Sequence, residues 1–218
     1  MSDARVYVVD DDPAVCRALC RLIRSVGIDA VPFSSARAFL EHPRPTGPAC
    51  LVLDVRMPGL GGLDLQTQLE ESRNTLPIIF ITGHGNVPTS VRAMKGGAVD
   101  FLQKPFNDDE LIAAIQRALE LSRRSQSEAS IRAEVERRLR TLTPREREVF
   151  ALVVKGLLNK QIAGELTAAE KTVKVHRGRV MQKMAASSVA DLVHMAELIG
   201  LPTGSGVDVP RRPTPKGP

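Results

Sequence analysis

Five short apolar runs, separated by segments of helical period, restrict the folds open to the first half of this chain. The runs cover residues 6–10, 30–33, 49–54, 77–82 and 99–103. Residues 14–26, 36–41, 63–71, 87–95 and 109–121 repeat apolar side chains with the period of an α-helix. Strands that alternate with helices build a parallel sheet covered on both faces, with right-handed crossovers. Strands buried on both faces need no polar alternation, and Leu51-Val52-Leu53 shows none. In such a sheet the ligand crevice opens beyond the carboxyl ends of the strands.

The residues at those ends carry chemistry. The first run ends in Asp10-Asp11-Asp12 and the third in Asp54. The fourth ends in Thr82, followed by Gly83-His84-Gly85, and the fifth leads into Lys104-Pro105. Asp12, before Pro13, reads as the N-cap of the first helix. Asp is a poor strand residue, so Asp54 either finishes its strand or is held by it for a purpose. Ionised acids gathered at one rim repel each other and call for a cation. Hard oxygen donors suit Mg²⁺ (or Mn²⁺), which takes one or two carboxylates and leaves room for phosphate oxygens. An Asp in that setting is a competent nucleophile for phosphoryl transfer. A lysine ammonium and a hydroxyl would stabilise charge on the transferred group.

In order and at ordinary spacing, VVDDDP, LVLDVRMPG, FITGHG and DFLQKPF resemble the receiver domain of two-component response regulators over residues 1–121. The resemblance implies a flavodoxin-like, doubly wound, five-stranded parallel sheet with Asp54 as phosphoacceptor. It implies Asp10, Asp11, Asp54 and the main-chain carbonyl of Arg56 as metal ligands. Thr82 becomes the switch hydroxyl, Phe101 the switch aromatic and Lys104 the phosphate-binding lysine, followed by a cis Lys104–Pro105 bond. A phosphohydrolase working through an aspartyl phosphate is the rival of another class. Such enzymes usually carry a second Asp two residues beyond the nucleophile, where this chain has Arg56. A flavodoxin-like phosphate binder using Gly83-His84-Gly85 leaves the three acids and the lysine unexplained.

The second half differs in charge. Residues 1–121 hold 12 Lys+Arg against 15 Asp+Glu, and residues 122–218 hold 18 against 10. That asymmetry points to a nucleic-acid contact confined to the second half. Residues 122–140 are polar, but Ile131, Val135 and Leu139 recur every four residues, which predicts a helical linker. Thr143, Pro144 and Glu146 form a capping-box signature for a helix ending near Gly156. Asn159 is placed to cap a short helix to residue 166, a turn follows at 167–169, and a basic helix runs over 170–184. A last helix over 189–199 completes a four-helix core. The short helix, turn and basic helix read as a helix-turn-helix, with the basic helix in the major groove. Val173, Val180, Met181 and Met184 supply its buried face; Lys171, Lys174, Arg177, Arg179 and Lys183 supply the exposed one.

LTPREREVFALVVKGLLNKQIAGEL and KTVKVHRGRVMQKM are similar to the LuxR-type DNA-binding domain, placed at residues 141–201. With the receiver in front, the layout resembles the NarL/FixJ subfamily of response regulators, an α/β domain joined to an all-α one. The resemblance implies base contacts from Lys174 and Val175, and phosphate contacts from Lys160, Thr172, His176 and Arg177. It departs at Ala168-Ala169, where a side-chain N-cap is missing, and at Gly178 in mid-helix. A sensor histidine kinase, promoter DNA, RNA polymerase and a second copy of the chain are the partners this layout implies. No apolar run approaches membrane-spanning length and no signal segment opens the chain, so a cytoplasmic protein without a membrane partner is expected. Cys16, Cys20 and Cys50 lack metal-ligand spacing and read as small buried apolar residues. The proline- and glycine-rich tail, 202–218, is expected to be disordered.

Overall fold

The structure is a computed structural model that describes residues 4–43, 45–72, 74–83 and 87–204. His84 and Gly85 of the Gly-rich turn, and residues 205–218 of the tail, lie outside the described residues. The chain divides into two units, Met1–Ser127 and Glu128–Pro218.

The first unit alternates β1 (Arg5–Val9), α1 (Pro13–Ser25), β2 (Asp29–Phe33), α2 (Ala36–Leu40), β3 (Ala49–Asp54), α3 (Gly62–Glu71), β4 (Ile78–Thr82), α4 (Val87–Lys95) and β5 (Asp100–Gln103). The strands pair in parallel in the order β2-β1-β3-β4-β5. The order reverses direction at β1, so the β1 and β3 ends flank the topological switch point. Alternate residues of each strand face opposite sides. Val6, Val8, Cys50, Val52, Ile79 and Ile81 pack with α1 and with Leu111, Ile115 and Leu119 of the next helix. Tyr7, Val9, Leu51, Leu53 and Phe80 pack instead with Phe39 of α2, Leu65 and Leu69 of α3 and Ala93 of α4. Two apolar layers thus clamp the sheet and hold its carboxyl rim in place. Cys16, Cys20 and Cys50 are buried free thiols within the first layer.

The helix after β5, α5, runs without a break over Asp108–Arg140, and the division between units falls within it. The helix expected over 109–121 and the helical segment expected over 122–140 are therefore one element. Within the first unit, Ser122 Oγ accepts the Ala49 N–H at 3.1 Å and Gln126 Nε2 donates to the Gly47 oxygen at 2.8 Å.

The second unit continues with α6 (Pro144–Val154), α7 (Asn159–Glu165), α8 (Glu170–Met184) and α9 (Val189–Leu198). Its core gathers Val149, Phe150, Val153, Ile162, Val173, Val180, Met184 and Leu192. The capping box of α6 is formed. Glu146 N–H donates to Thr143 Oγ1 at 3.3 Å, and Thr143 N–H donates to Glu146 Oε2 at 2.9 Å. Ala169 is the N-cap of α8 and gives no side-chain bond, as Ala168-Ala169 requires. Asn159 does not cap α7: it is the first helical residue, behind Leu158. Its Oδ1 instead accepts from Arg177 Nη1 at 2.9 Å, tying α7 to α8.

Candidate functional site

The carboxyl rim of the sheet brings together residues far apart in sequence. Asp10 follows β1, Asp54 ends β3, Thr82 ends β4 and Lys104 follows β5. With Asp11 and Arg56 they line a cavity of about 240 Å³. Asp10, Asp54 and Thr82 are buried, at 2%, 7% and 1% exposure. Buried carboxylates must be paired, and here one cation serves two of them. Lys104 Nζ donates to Asp10 Oδ2 at 2.7 Å and to Asp54 Oδ1 at 2.9 Å. The remaining oxygens take main-chain donors. Asp10 Oδ1 accepts the Asp12 N–H at 2.9 Å, and Asp54 Oδ2 accepts the Arg56 N–H at 2.7 Å. Asp12 caps α1, its Oδ1 accepting the Ala14 N–H at 2.7 Å.

The electrostatics follow from this packing. Burial raises the Asp54 carboxyl above its ordinary range, against the opposing pull of Lys104 and the Arg56 N–H. Burial lowers Lys104, but its ion pairs with Asp10 and Asp54 outweigh that and leave it raised. The Lys104 N–H also donates to the Thr82 oxygen at 2.7 Å, joining the ends of β5 and β4, and the Lys104–Pro105 bond is cis. Phe101 lies outside the cavity lining. It is half-buried on β5, its ring centroid 6.3 Å from that of Phe80.

Among the described residues, no three carboxylate, histidine or cysteine side chains form a ready-made metal site. Mg²⁺ needs only one or two carboxylates beside carbonyl and water oxygens. Two buried carboxylates facing one ammonium leave negative charge to neutralise, and Asp11 and Arg56 line the same cavity. The donor set fits that ion.

One residue of this rim escaped the sequence reading. A Cβ on Gly62, at the start of α3, would overlap the main-chain oxygen of Asp54. Only glycine lets α3 pack so closely behind the β3 end. The Gly61-Gly62 pair after the Met57-Pro58 turn was the signal.

In the second unit, Lys160, Lys171, Thr172, Lys174, Val175 and Arg179 are exposed on α7 and α8. His176 and Arg177 are half-buried; Arg177 is bound to Asn159, and His176 Nδ1 is shielded with no hydrogen-bond partner among the described residues. Lys183 departs from the sequence expectation. Its Nζ turns inward, donating to Glu146 Oε2 at 2.7 Å and to the Thr141 oxygen at 3.2 Å. It locks α8 to the start of α6 and is removed from the exposed basic face. Arg138 near the end of α5 adds a bond from Nη1 to the Met184 oxygen at 3.0 Å.

A parallel sheet gathering acids and a lysine at one rim, joined in one chain to a helix-turn-helix unit, defines a signal-responsive transcription regulator. Comparison with known proteins fixes the family. Residues 6–116 match the response regulator receiver domain, and residues 140–196 match the bacterial regulatory proteins of the luxR family. The chain belongs to the two-component response regulators that join these domains, the NarL/FixJ subfamily. It is 52% identical to Nodulation protein W of Bradyrhizobium diazoefficiens, over 91% of this chain and 87% of that protein. It is 48% identical to the response regulator protein TodT of Pseudomonas putida, over 88% and 85%. Among solved structures, the response regulator StyR matches with a TM-score of 0.80 at 48% identity, covering 89% of this chain and 98% of that one.

Proposed function

We propose that Asp54 is the residue phosphorylated in this two-component transcriptional regulator, and that its phosphorylation controls binding to promoter DNA. The observation that carries this reading is the double ion pair of Lys104, which holds Asp54 and Asp10 at one cavity with Thr82. A carboxylate oxygen of Asp54 attacks the phosphorus of a phosphohistidine on a sensor histidine kinase. The P–N bond breaks, the imidazole leaves with the electron pair, and an acyl phosphate remains. Asp10, Asp11, Asp54 and the Arg56 carbonyl hold Mg²⁺ (or Mn²⁺), which when bound neutralises charge on the phosphoryl oxygens. Lys104 exchanges its bond to Asp54 Oδ1 for one to a phosphoryl oxygen, and Thr82 donates its hydroxyl to another. Phe101 repacks with Thr82 and changes the face made by α4 and β5. That face supports a homodimer, which suits paired DNA half-sites.

In this reading residues 1–121 are the phosphoacceptor domain, 122–140 the helical linker and 141–201 the DNA-binding domain. Lys174 and Val175 read bases, and Lys160, Lys171, Thr172, His176, Arg177 and Arg179 grip the backbone. Contact with RNA polymerase and a cytoplasmic location complete the proposal; among the described residues no helix is long and apolar enough to cross a membrane. The test is incubation with Mg²⁺ and a small phosphodonor, read by intact mass. The wild-type chain gains one phosphoryl group and Asp54→Asn gains none. An equal gain in both would place the phosphoryl group elsewhere.

A further inference from the structure

The helix α4 is held to the first unit by little apolar packing. Ala93 is its buried side chain, while Val87, Val91 and Met94 are exposed. Helices in proteins draw most of their stability from a buried apolar face, and this one has almost none. Its C-terminal end is secured by polar contacts instead. Gln66 on α3, 4% exposed, donates from Nε2 to the Ala93 oxygen at 3.1 Å and to the Gly96 oxygen at 2.5 Å. These are carbonyls that a helix end leaves without intrahelical partners. The Ala98 N–H reaches the same Ala93 oxygen at 3.2 Å across Gly97, which has φ +79.

The fit is close. A Cβ on Gly96 would lie 2.8 Å from Cδ, Nε2 and Oε1 of Gln66. Gln66 and Gly96 also line a cavity of about 490 Å³, so packing does not enclose this helix end on that side. A leucine at 66 would fill similar volume with no amide to desolvate. Simple core packing therefore does not call for glutamine. Thr82 and Gly83, which line the phosphoacceptor cavity, precede the other end of α4 in the sequence.

We infer that Gln66 is a positioning residue, the fixed pivot of α4, so that events at Asp54 swing the helix about its C-terminal end; this rests on the phosphoswitch reading above. A lever needs one end held. With the Gln66 bonds gone, the same events loosen α4 locally, and the change reaching DNA binding shrinks.

The experiment measures the gain in DNA affinity of the full chain on treatment with Mg²⁺ and a small phosphodonor, at fixed salt. Gln66→Met keeps side-chain length without the donors, and Gly96→Ala presses the amide from the other side. Each is expected to cut the gain by about 5-fold, within the range found for residues that couple distant sites. Mass gain at Asp54 stays at the wild-type level, because neither residue touches the cavity there. Hydrogen exchange over residues 87–98 accelerates in both variants. Gly96→Ala added to Gln66→Ala has no further effect, since the side chain it meets is gone. A purely structural role would lower the unfolding midpoint and leave the gain per folded molecule intact, which overturns the pivot. Variants that gain as much as wild type overturn it too. A wild-type chain that takes the phosphoryl group and gains nothing overturns the switch reading itself.

Discussion

Replacing Lys104 by Met tests the rim directly. Met matches the lysine stem in shape and removes the ammonium. Asp10 and Asp54, with side chains 3% and 9% exposed, then face each other without a cation. Each charge-assisted bond contributes roughly 1.5–3 kcal/mol. The Lys104 side chain is 25% exposed, so its own desolvation offsets part of that. Protonation of Asp54, already raised by burial, caps the cost. A destabilisation of about 2–4 kcal/mol remains. In an Asp54→Asn background one ion pair and the facing charge are already absent, and the same replacement should cost about half as much. The assay is urea unfolding followed through tyrosine. The chain has one Tyr and no Trp, and Tyr7 is buried in β1, so the signal reports the first unit alone. No cost in either background, or an equal cost in both, would refute the shared-cation account.

Three further outcomes follow from the second unit. Lys183, and next the Thr143 N–H, hold the Glu146 carboxyl down at about 2 against an ordinary 4.5. Its folded value lies below the unfolded one, so its stabilisation is present above the ordinary value and is lost as pH falls toward 2. Glu146→Gln should flatten that acid limb in far-UV circular dichroism, and an unchanged limb contradicts the pair. Lys171→Ala or Arg179→Ala should each reduce the slope of log affinity for DNA against log salt by about 0.9. Lys183→Ala should leave that slope unchanged, and a change equal to Lys171→Ala would mean that Lys183 faces DNA. Gly178 in α8 has open space around its Cβ position, so Gly178→Ala should stabilise the second unit by roughly 0.8–1 kcal/mol, read as a shift in urea midpoint.

What was legible in the sequence divides along physical lines. Buried parallel strands are continuous apolar runs, so β3 is found at residues 49–54 as expected, and the other strands differ by a residue or so. Strand ends name the rim residues because the topology, once recognised, puts all carboxyl ends on one side. Partners distant in sequence were not legible. Periodicity places Lys183 on a helix but cannot show that Glu146 lies 2.7 Å from it. Asn159 looked like a cap because cap preference is local, while its bond to Arg177 depends on how α7 meets α8. Gln66 interrupts an apolar helix face with an amide whose two acceptors lie at the end of another helix. The Gly61-Gly62 pair marks a tight turn in the sequence, but that Gly62 abuts the Asp54 main-chain oxygen depends on how α3 meets β3.

The most direct measurement of the central claim is the DNA affinity of the full chain with and without Mg²⁺ and a small phosphodonor, in wild type and Asp54→Asn. Tighter binding on treatment in wild type, absent in Asp54→Asn, is the expected result. Wild-type binding that does not respond while Asp54 carries the phosphoryl group, or an equal response in Asp54→Asn, would contradict it.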